Sequence, residues 1–161
     1  MKSKLHHRAS ILVFGLALLM FLVAATPIPI TQQARVIHNQ VIVPEEDRFT
    51  PFSQTIHAGD AVRWINMDTD DHTVVSVDAF NTAGNRGVNI VLKGTDNNGG
   101  QPGTLVLHFG HPGTFVYYCR FHAHLDGHNQ PAAPGPDGGI EDPGGNHGTP
   151  MMGIITVLPR D

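Results

Sequence analysis

The single cysteine of this chain is followed at short spacing by two histidines. Cys119 precedes His122 by three residues and His124 by five. Because the 161 residues contain no second cysteine, this thiol forms no internal disulfide and belongs to no cysteine-rich zinc or iron–sulfur site. A thiolate and an imidazole at the end of one strand are within reach of a single ion, so the spacing favours metal binding over an inert buried thiol.

Two further segments could complete a metal site. His72 follows the polar turn 68–71 at the start of a predicted strand, and Met151 and Met152 directly precede the last predicted strand. One thiolate, two imidazoles and a distant thioether form the ligand set of a mononuclear blue-copper site. From the spacing alone, either histidine after Cys119 could be the second imidazole, and either methionine could be the thioether.

Short strands must position these side chains. Eight segments alternate or are rich in β-branched residues and are separated by Gly, Pro and Asx turn signals, and no segment has a convincing helical pattern. The segments are residues 35–43, 52–57, 61–66, 72–77, 88–92, 104–109, 114–119 and 153–158. Their spacing predicts an all-β protein, a Greek-key β-sandwich of about eight strands with a long loop before the last one.

The first 25 residues have the composition of an export signal. Lys2, Lys4 and Arg8 precede an apolar run, Ile11–Ala25, which is shorter than the ~20 residues a spanning helix needs and ends in small residues. We therefore expect a signal peptide at 1–25 and a periplasmic or extracellular protein. If this segment is retained, it is an N-terminal anchor and the protein is attached to the membrane.

The rest of the chain is expected to comprise an N-terminal strand region, 26–48, and a domain, 49–161, with an insertion at 125–150. A loop of that length inside a compact domain is uncommon and is usually functional or disordered. Three imidazoles lie in or next to it: His124, His128 and His147. They are either solvated loop side chains or the ligands of a second, weaker copper or zinc site.

Three segments, in this order, resemble the small blue copper proteins of the cupredoxin family, with plastocyanins and pseudoazurins as the nearest type. They are GDAVRWIN with HTVVS (59–66 and 72–76), GTFVYYCRFH (113–122) and MMGIITV (151–157). The resemblance covers roughly residues 49–157 and implies a cupredoxin-like domain with one copper ion per chain. The ligands that it implies are His72, Cys119, His122 and Met151.

The chain departs from this family between the last two ligands. In the family only a few residues separate the second histidine from the methionine, whereas 28 residues lie between His122 and Met151 here. The register of Met151 before Gly153 matches the family pattern, which favours it over Met152 as the axial ligand. A longer loop could still close on the site, because closure entropy grows slowly with length, but it could change solvent access and the reduction potential.

The resemblance implies a one-electron carrier that cycles between Cu(I) and Cu(II), has no catalytic residues and is not an enzyme. Its partner would be a redox protein such as a cytochrome or a copper oxidoreductase, and a monomer is expected. The alternatives are a copper storage or delivery protein that uses the histidine-bearing loop, and a small copper enzyme with an open site. Nucleic acid is not an expected partner, because 10 Lys and Arg face 14 Asp and Glu.

Overall fold

The computed structural model describes residues 39–44, 46–135 and 148–160. These residues form ten β-strands. They contain no helix, and hence none long and apolar enough to cross a membrane. The strands are β1 (Asn39–Val43), β2 (Ser53–His57), β3 (Asp60–Asn66), β4 (His72–Ser76), β5 (Asn89–Leu92), β6 (Gly103–Phe109), β7 (Gly113–Tyr118), β8 (His124–Leu125), β9 (Pro131–Ala132) and β10 (Met152–Leu158). The predicted signal segment and His147 lie outside the described residues.

Two sheets contain the eight longer strands. The smaller sheet has the order β1-β3-β6, with β1 parallel to β3 and β6 antiparallel to it. The larger sheet has the order β2-β10-β7-β4-β5, in which only the β2–β10 pair is parallel. The chain crosses repeatedly from one sheet to the other, as in Greek-key sandwiches. The all-β sandwich expected from the sequence is confirmed.

Aromatic side chains join the two sheets in a common core. Trp64 of β3 packs edge-on against Tyr117 and Phe115 of β7, with ring centroids 5.3 and 6.3 Å apart, and all three side chains are fully buried. Side chains on a strand alternate between its faces, so Phe115, Tyr117 and then Cys119 point to the same side. The packing of this core therefore fixes the position of Cys119.

Each of the eight predicted strands corresponds to an observed one, with ends that differ by at most one residue where the prediction lies within the described residues. Strand β7 ends at Tyr118, so Cys119 is the first residue beyond it rather than its last. The sequence did not predict the two-residue strands β8 and β9, which pair at the beginning of the insertion. Pairs this short carry too little alternation to be recognised from the sequence.

Candidate metal centre

Neighbouring strands bring the first histidine and the cysteine together. Strands β4 and β7 are antiparallel, with Val75 opposite Tyr118, so the start of β4 lies beside the end of β7. His72 is the first residue of β4 and Cys119 follows the last residue of β7. His122 joins them through a tight turn, in which its backbone N–H donates to the carbonyl oxygen of Cys119 at 3.1 Å.

The donor atoms of these three side chains converge. The Sγ atom of Cys119 lies 3.8 Å from Nδ1 of His72 and 3.7 Å from Nδ1 of His122, and the three atoms lie within 4.8 Å of one another. Bond lengths of about 2.0–2.3 Å and angles of trigonal or tetrahedral size give sulfur–nitrogen separations of about 3.6–3.8 Å. The spacing therefore fits a single transition-metal ion between the three side chains.

Burial differs among the three side chains. His72 and Cys119 are fully buried, whereas the His122 side chain is 26% exposed. A centre built in this way is closed to solvent on the side of the first two side chains. It reaches the surface through the third.

Thr73 donates two hydrogen bonds to the sulfur. Its backbone N–H lies 3.3 Å from Sγ and its hydroxyl 3.6 Å from it, while the same hydroxyl accepts the backbone N–H of Arg120 at 2.9 Å. Burial raises the pKa of the Cys119 thiol, but hydrogen bonds, chiefly with His122 and His72, outweigh this effect and lower the pKa to about 5. The thiolate, which is the form that binds metal, is thus favoured at neutral pH.

The surroundings raise the pKa of both imidazoles above the ordinary value. Burial lowers the pKa of His72, but hydrogen bonds with Cys119 and Asp68 raise it further than burial lowers it. The hydrogen bond with Cys119 raises the pKa of His122, and burial opposes this shift only in part. A metal ion that binds the three side chains would therefore compete with protons for the imidazole nitrogens more strongly than at an ordinary histidine.

Two carboxylates lie on the far side of the histidine rings. Nε2 of His72 is 3.0 Å from Oδ2 of the buried Asp68 and 3.5 Å from Oδ1 of Asp47, which also lies 3.8 Å from Nε2 of His122. Burial raises the pKa of Asp68, whereas hydrogen bonds from His72 and from the backbone lower it, with a net decrease. The sequence analysis missed both aspartates, and the only signal for Asp68 was its place four residues before His72.

Met151 is joined to the centre through its backbone. Its carbonyl oxygen accepts the N–H of Cys119 at 2.9 Å, and its own N–H donates to the carbonyl of His122 at 3.3 Å. Its side chain is fully buried in the core cluster that also contains Cys119, whereas Met152 is partly exposed at the start of β10. Of the two methionines, Met151 is therefore the buried one, and its backbone is hydrogen-bonded to Cys119 and His122.

His124 and His128, the two described histidines in or next to the insertion, do not join such a cluster. Among the described residues, two groups of three side chains could hold a metal ion: His72 with Cys119 and His122, and His72 with Asp47 and Asp68. His124 and His128 are exposed and belong to neither group. The second metal site suggested for His124, His128 and His147 stays a prediction, since His147 lies outside the described residues.

Comparison with known proteins finds similarity among solved structures. No family model matches the chain, and no curated protein matches it. A purple cupredoxin from Nitrosopumilus maritimus is 20% identical, with 74% of this chain and 98% of that one covered and a TM-score of 0.47. A mutant amicyanin in its reduced state is 19% identical, with 74% and 80% covered and a TM-score of 0.45. The amicyanin from Paracoccus versutus is 16% identical, with 74% and 79% covered and a TM-score of 0.43.

Proposed function

We propose that this chain is a mononuclear copper protein of the cupredoxin type that carries single electrons. The observation that carries the proposal is the convergence of one thiolate and two imidazole nitrogens, those of Cys119, His72 and His122, within 4.8 Å of one another. One cysteine and two histidines are the in-plane ligands of blue-copper electron-transfer sites. Copper, when bound, supplies a one-electron Cu(I)/Cu(II) couple.

Met151 is the proposed weak axial ligand. Its complete burial and its backbone hydrogen bonds to Cys119 and His122 support this role. A long axial thioether is characteristic of blue-copper sites and tunes their reduction potential. The same features support copper over zinc, which binds structural sites with cysteine and histidine but seldom uses a thioether.

The surroundings of the site support electron transfer rather than catalysis on a substrate. His72 and Cys119 are fully buried, the first in β4 and the second directly after β7, so the protein supplies a rigid and largely dry set of ligands. His122 is the partly exposed ligand, and the exposed Phe121 lies next to it in the chain. We propose that a redox protein receives or delivers the electron at this face, and we assign no catalytic residue.

Export is part of the proposal, and its support comes from the sequence alone. The basic and apolar segment 1–25 favours a periplasmic or extracellular location. The alternative role in copper storage or delivery would use His124, His128 and His147. Its support likewise comes from the sequence, because the two described histidines are exposed and outside both candidate metal groups.

Copper titration of the full chain tests the proposal. Wild type is expected to bind one Cu(II) per chain and to develop an intense visible thiolate-to-copper charge-transfer band, which reduction abolishes and reoxidation restores. Cys119→Ser removes the sulfur donor and keeps a hydroxyl of similar size, so the band should vanish. His124→Ala, an exposed neighbour, is the matched control and should retain it. A band that survives in Cys119→Ser would refute the site, and several copper ions per chain would favour storage.

A further inference from the structure

A buried carboxylate lies behind the first histidine of the centre. Oδ2 of Asp68 is 3.0 Å from Nε2 of His72, while Nδ1 on the other side of that ring lies 3.8 Å from Sγ of Cys119. His72 is fully buried and Asp68 is 5% exposed, so little water competes for this contact. One imidazole thus links a carboxylate to the position where the metal ion would bind.

The carboxylate is itself held in place. Its Oδ1 atom accepts the backbone N–H groups of Thr69 at 2.6 Å and Asp70 at 3.4 Å. The backbone N–H of Asp68 donates to Oδ1 of the fully buried Asn66, whose amide donates in turn to the carbonyl oxygens of Asp70 and Leu92. The acceptor is therefore held by hydrogen bonds of the protein itself, as a supporting group must be if it is to orient a ligand.

Neighbouring chain segments restrict the turn that contains Asp68. The carboxylate of Asp71 accepts the backbone N–H of Gly94 at 2.9 Å and pairs with Lys93 at 2.7 Å. A Cβ atom at Gly94 would lie 2.0 Å from the carbonyl oxygen of Thr69, so the two segments are in direct backbone contact. Displacing the Asp68 carboxylate therefore requires moving the whole turn.

This arrangement has a definite effect on the imidazole. When Nε2 of His72 carries the proton and donates it to Asp68, the lone pair of Nδ1 is free and directed toward the metal position. A carboxylate that accepts from a metal-bound histidine fixes the ring orientation and raises the basicity of the ligand. A more basic ligand with a negative charge behind it stabilises the doubly charged ion more than the singly charged one.

We propose that Asp68 is a positioning residue that fixes His72 as an Nδ1 ligand and lowers the reduction potential by stabilising Cu(II) over Cu(I). This inference rests on the proposed copper-binding function and adds a residue outside the ligand set. Asp47 provides an internal comparison, because its Oδ1 atom lies farther from the same nitrogen, at 3.5 Å, and its side chain is 39% exposed. Solvent screens the charge of an exposed carboxylate, so the effect of Asp47 should be smaller.

Separate affinities for the two copper ions test the inference. Competition titrations with chelators give the Cu(II) and Cu(I) dissociation constants of full-length wild type, Asp68→Asn and Asp47→Asn. In Asp68→Asn the Cu(II) affinity should fall about 10–100-fold, the usual loss when a group behind a metal ligand is changed. The Cu(I) affinity should fall at least tenfold less, which is a rise in potential of about 59 mV or more for a one-electron couple.

The outcomes separate this inference from the proposed function. If wild type binds no copper with a thiolate band, both fail. If wild type shows the band and Asp68→Asn changes the two affinities equally or not at all, only the role of Asp68 is refuted. An Asp47→Asn variant that shifts the affinity ratio as much as Asp68→Asn would also contradict the inference, because burial and the shorter distance would then be irrelevant.

A second readout can be measured on the wild-type protein, so the inference stays testable even if a variant fails to fold. In the diamagnetic Cu(I) protein, proton NMR should show a slowly exchanging, hydrogen-bonded Nε2–H on His72. Its absence from wild type would overturn the proposal. The signal should be retained in Asp47→Asn and lost in Asp68→Ala, whose side chain offers no acceptor.

Discussion

Two pairs of described histidines differ in their surroundings, and only the rings of one pair converge on the sulfur of Cys119. His72 and His122 direct nitrogen atoms at this sulfur. His124 and His128 are exposed and belong to no group of three potential metal ligands among the described residues. The imidazole chemistry is the same in both regions. The difference lies in what holds the side chain. The first region has pairing of longer strands, a tight turn and buried hydrogen-bond partners, whereas the second has a two-residue strand pair and a local turn that leave both rings exposed.

The comparison shows that the site depends on the backbone elements and hydrogen bonds that orient its side chains. His72 is held by strand pairing with Leu92 and by the carboxylate of Asp68, and Cys119 receives two hydrogen bonds from Thr73. His128, in contrast, makes its backbone hydrogen bond to Asp126 within the same turn. A histidine count therefore says little about metal binding unless the elements that orient the rings are known.

The largest expected effect concerns the thiol without metal. Cys119 should titrate with a pKa of about 5, well below the ordinary 9.0, because hydrogen bonds with His122 and His72 outweigh the effect of burial. Ultraviolet thiolate absorbance of the metal-free protein should therefore persist at neutral pH and disappear as the pH falls through about 5. His122→Ala should raise this midpoint, and a wild-type midpoint near the ordinary thiol value would show that the side chains do not converge.

Removing a histidine from each region tests the comparison directly. His72→Ala should lower the Cu(II) affinity by more than about 100-fold, beyond the usual effect of changing a group behind a ligand. His128→Ala should leave the affinity unchanged, because its ring lies outside the candidate groups. Chelator competition measures both constants, and comparable losses in the two variants would remove the distinction between the regions.

Glycines in the two regions provide the smallest and most local test. In Gly94→Ala the new Cβ would lie 2.0 Å from the carbonyl oxygen of Thr69, so the turn that holds Asp68 must shift. The free energy of unfolding should fall by about 1–3 kcal/mol, as in other overpacked sites. Gly127→Ala is the matched control, since no atom lies within 4 Å of its added Cβ. Urea unfolding of the metal-free proteins measures both, and equal stabilities would show that a side chain at Gly94 has as much space as one at Gly127.

The sequence predicted the parts of the site that depend on local pattern. Alternation along β7 indicated that Cys119 lies on the same face as the core aromatics, and the three-residue spacing to His122 indicated that both reach one ion. The position of His72 at the start of a strand followed from the polar turn before it. The structure places the donor atoms of these three residues together.

The parts that depend on distant segments could not be predicted. Asp47 approaches both histidine rings from the segment after β1, where its backbone takes a positive φ of 49° that the sequence does not indicate. The turn that contains Asp68 lies between β3 and β4 and folds back against Gly94. Gly94 follows β5, so the two segments are distant in the sequence. Spacing and the family resemblance together therefore identified the candidate ligands but not the carboxylates behind them.

X-ray absorption at the copper edge, on the full chain in both oxidation states, tests the central claim most directly. We predict one sulfur neighbour at thiolate distance and two imidazoles around a single copper ion, with nearly the same shell in Cu(II) and Cu(I). His72 lies in β4 and Cys119 directly follows β7, so little rearrangement should follow the change of charge. A shell of nitrogen and oxygen neighbours without the thiolate sulfur, or one that exchanges ligands on reduction, would contradict the account.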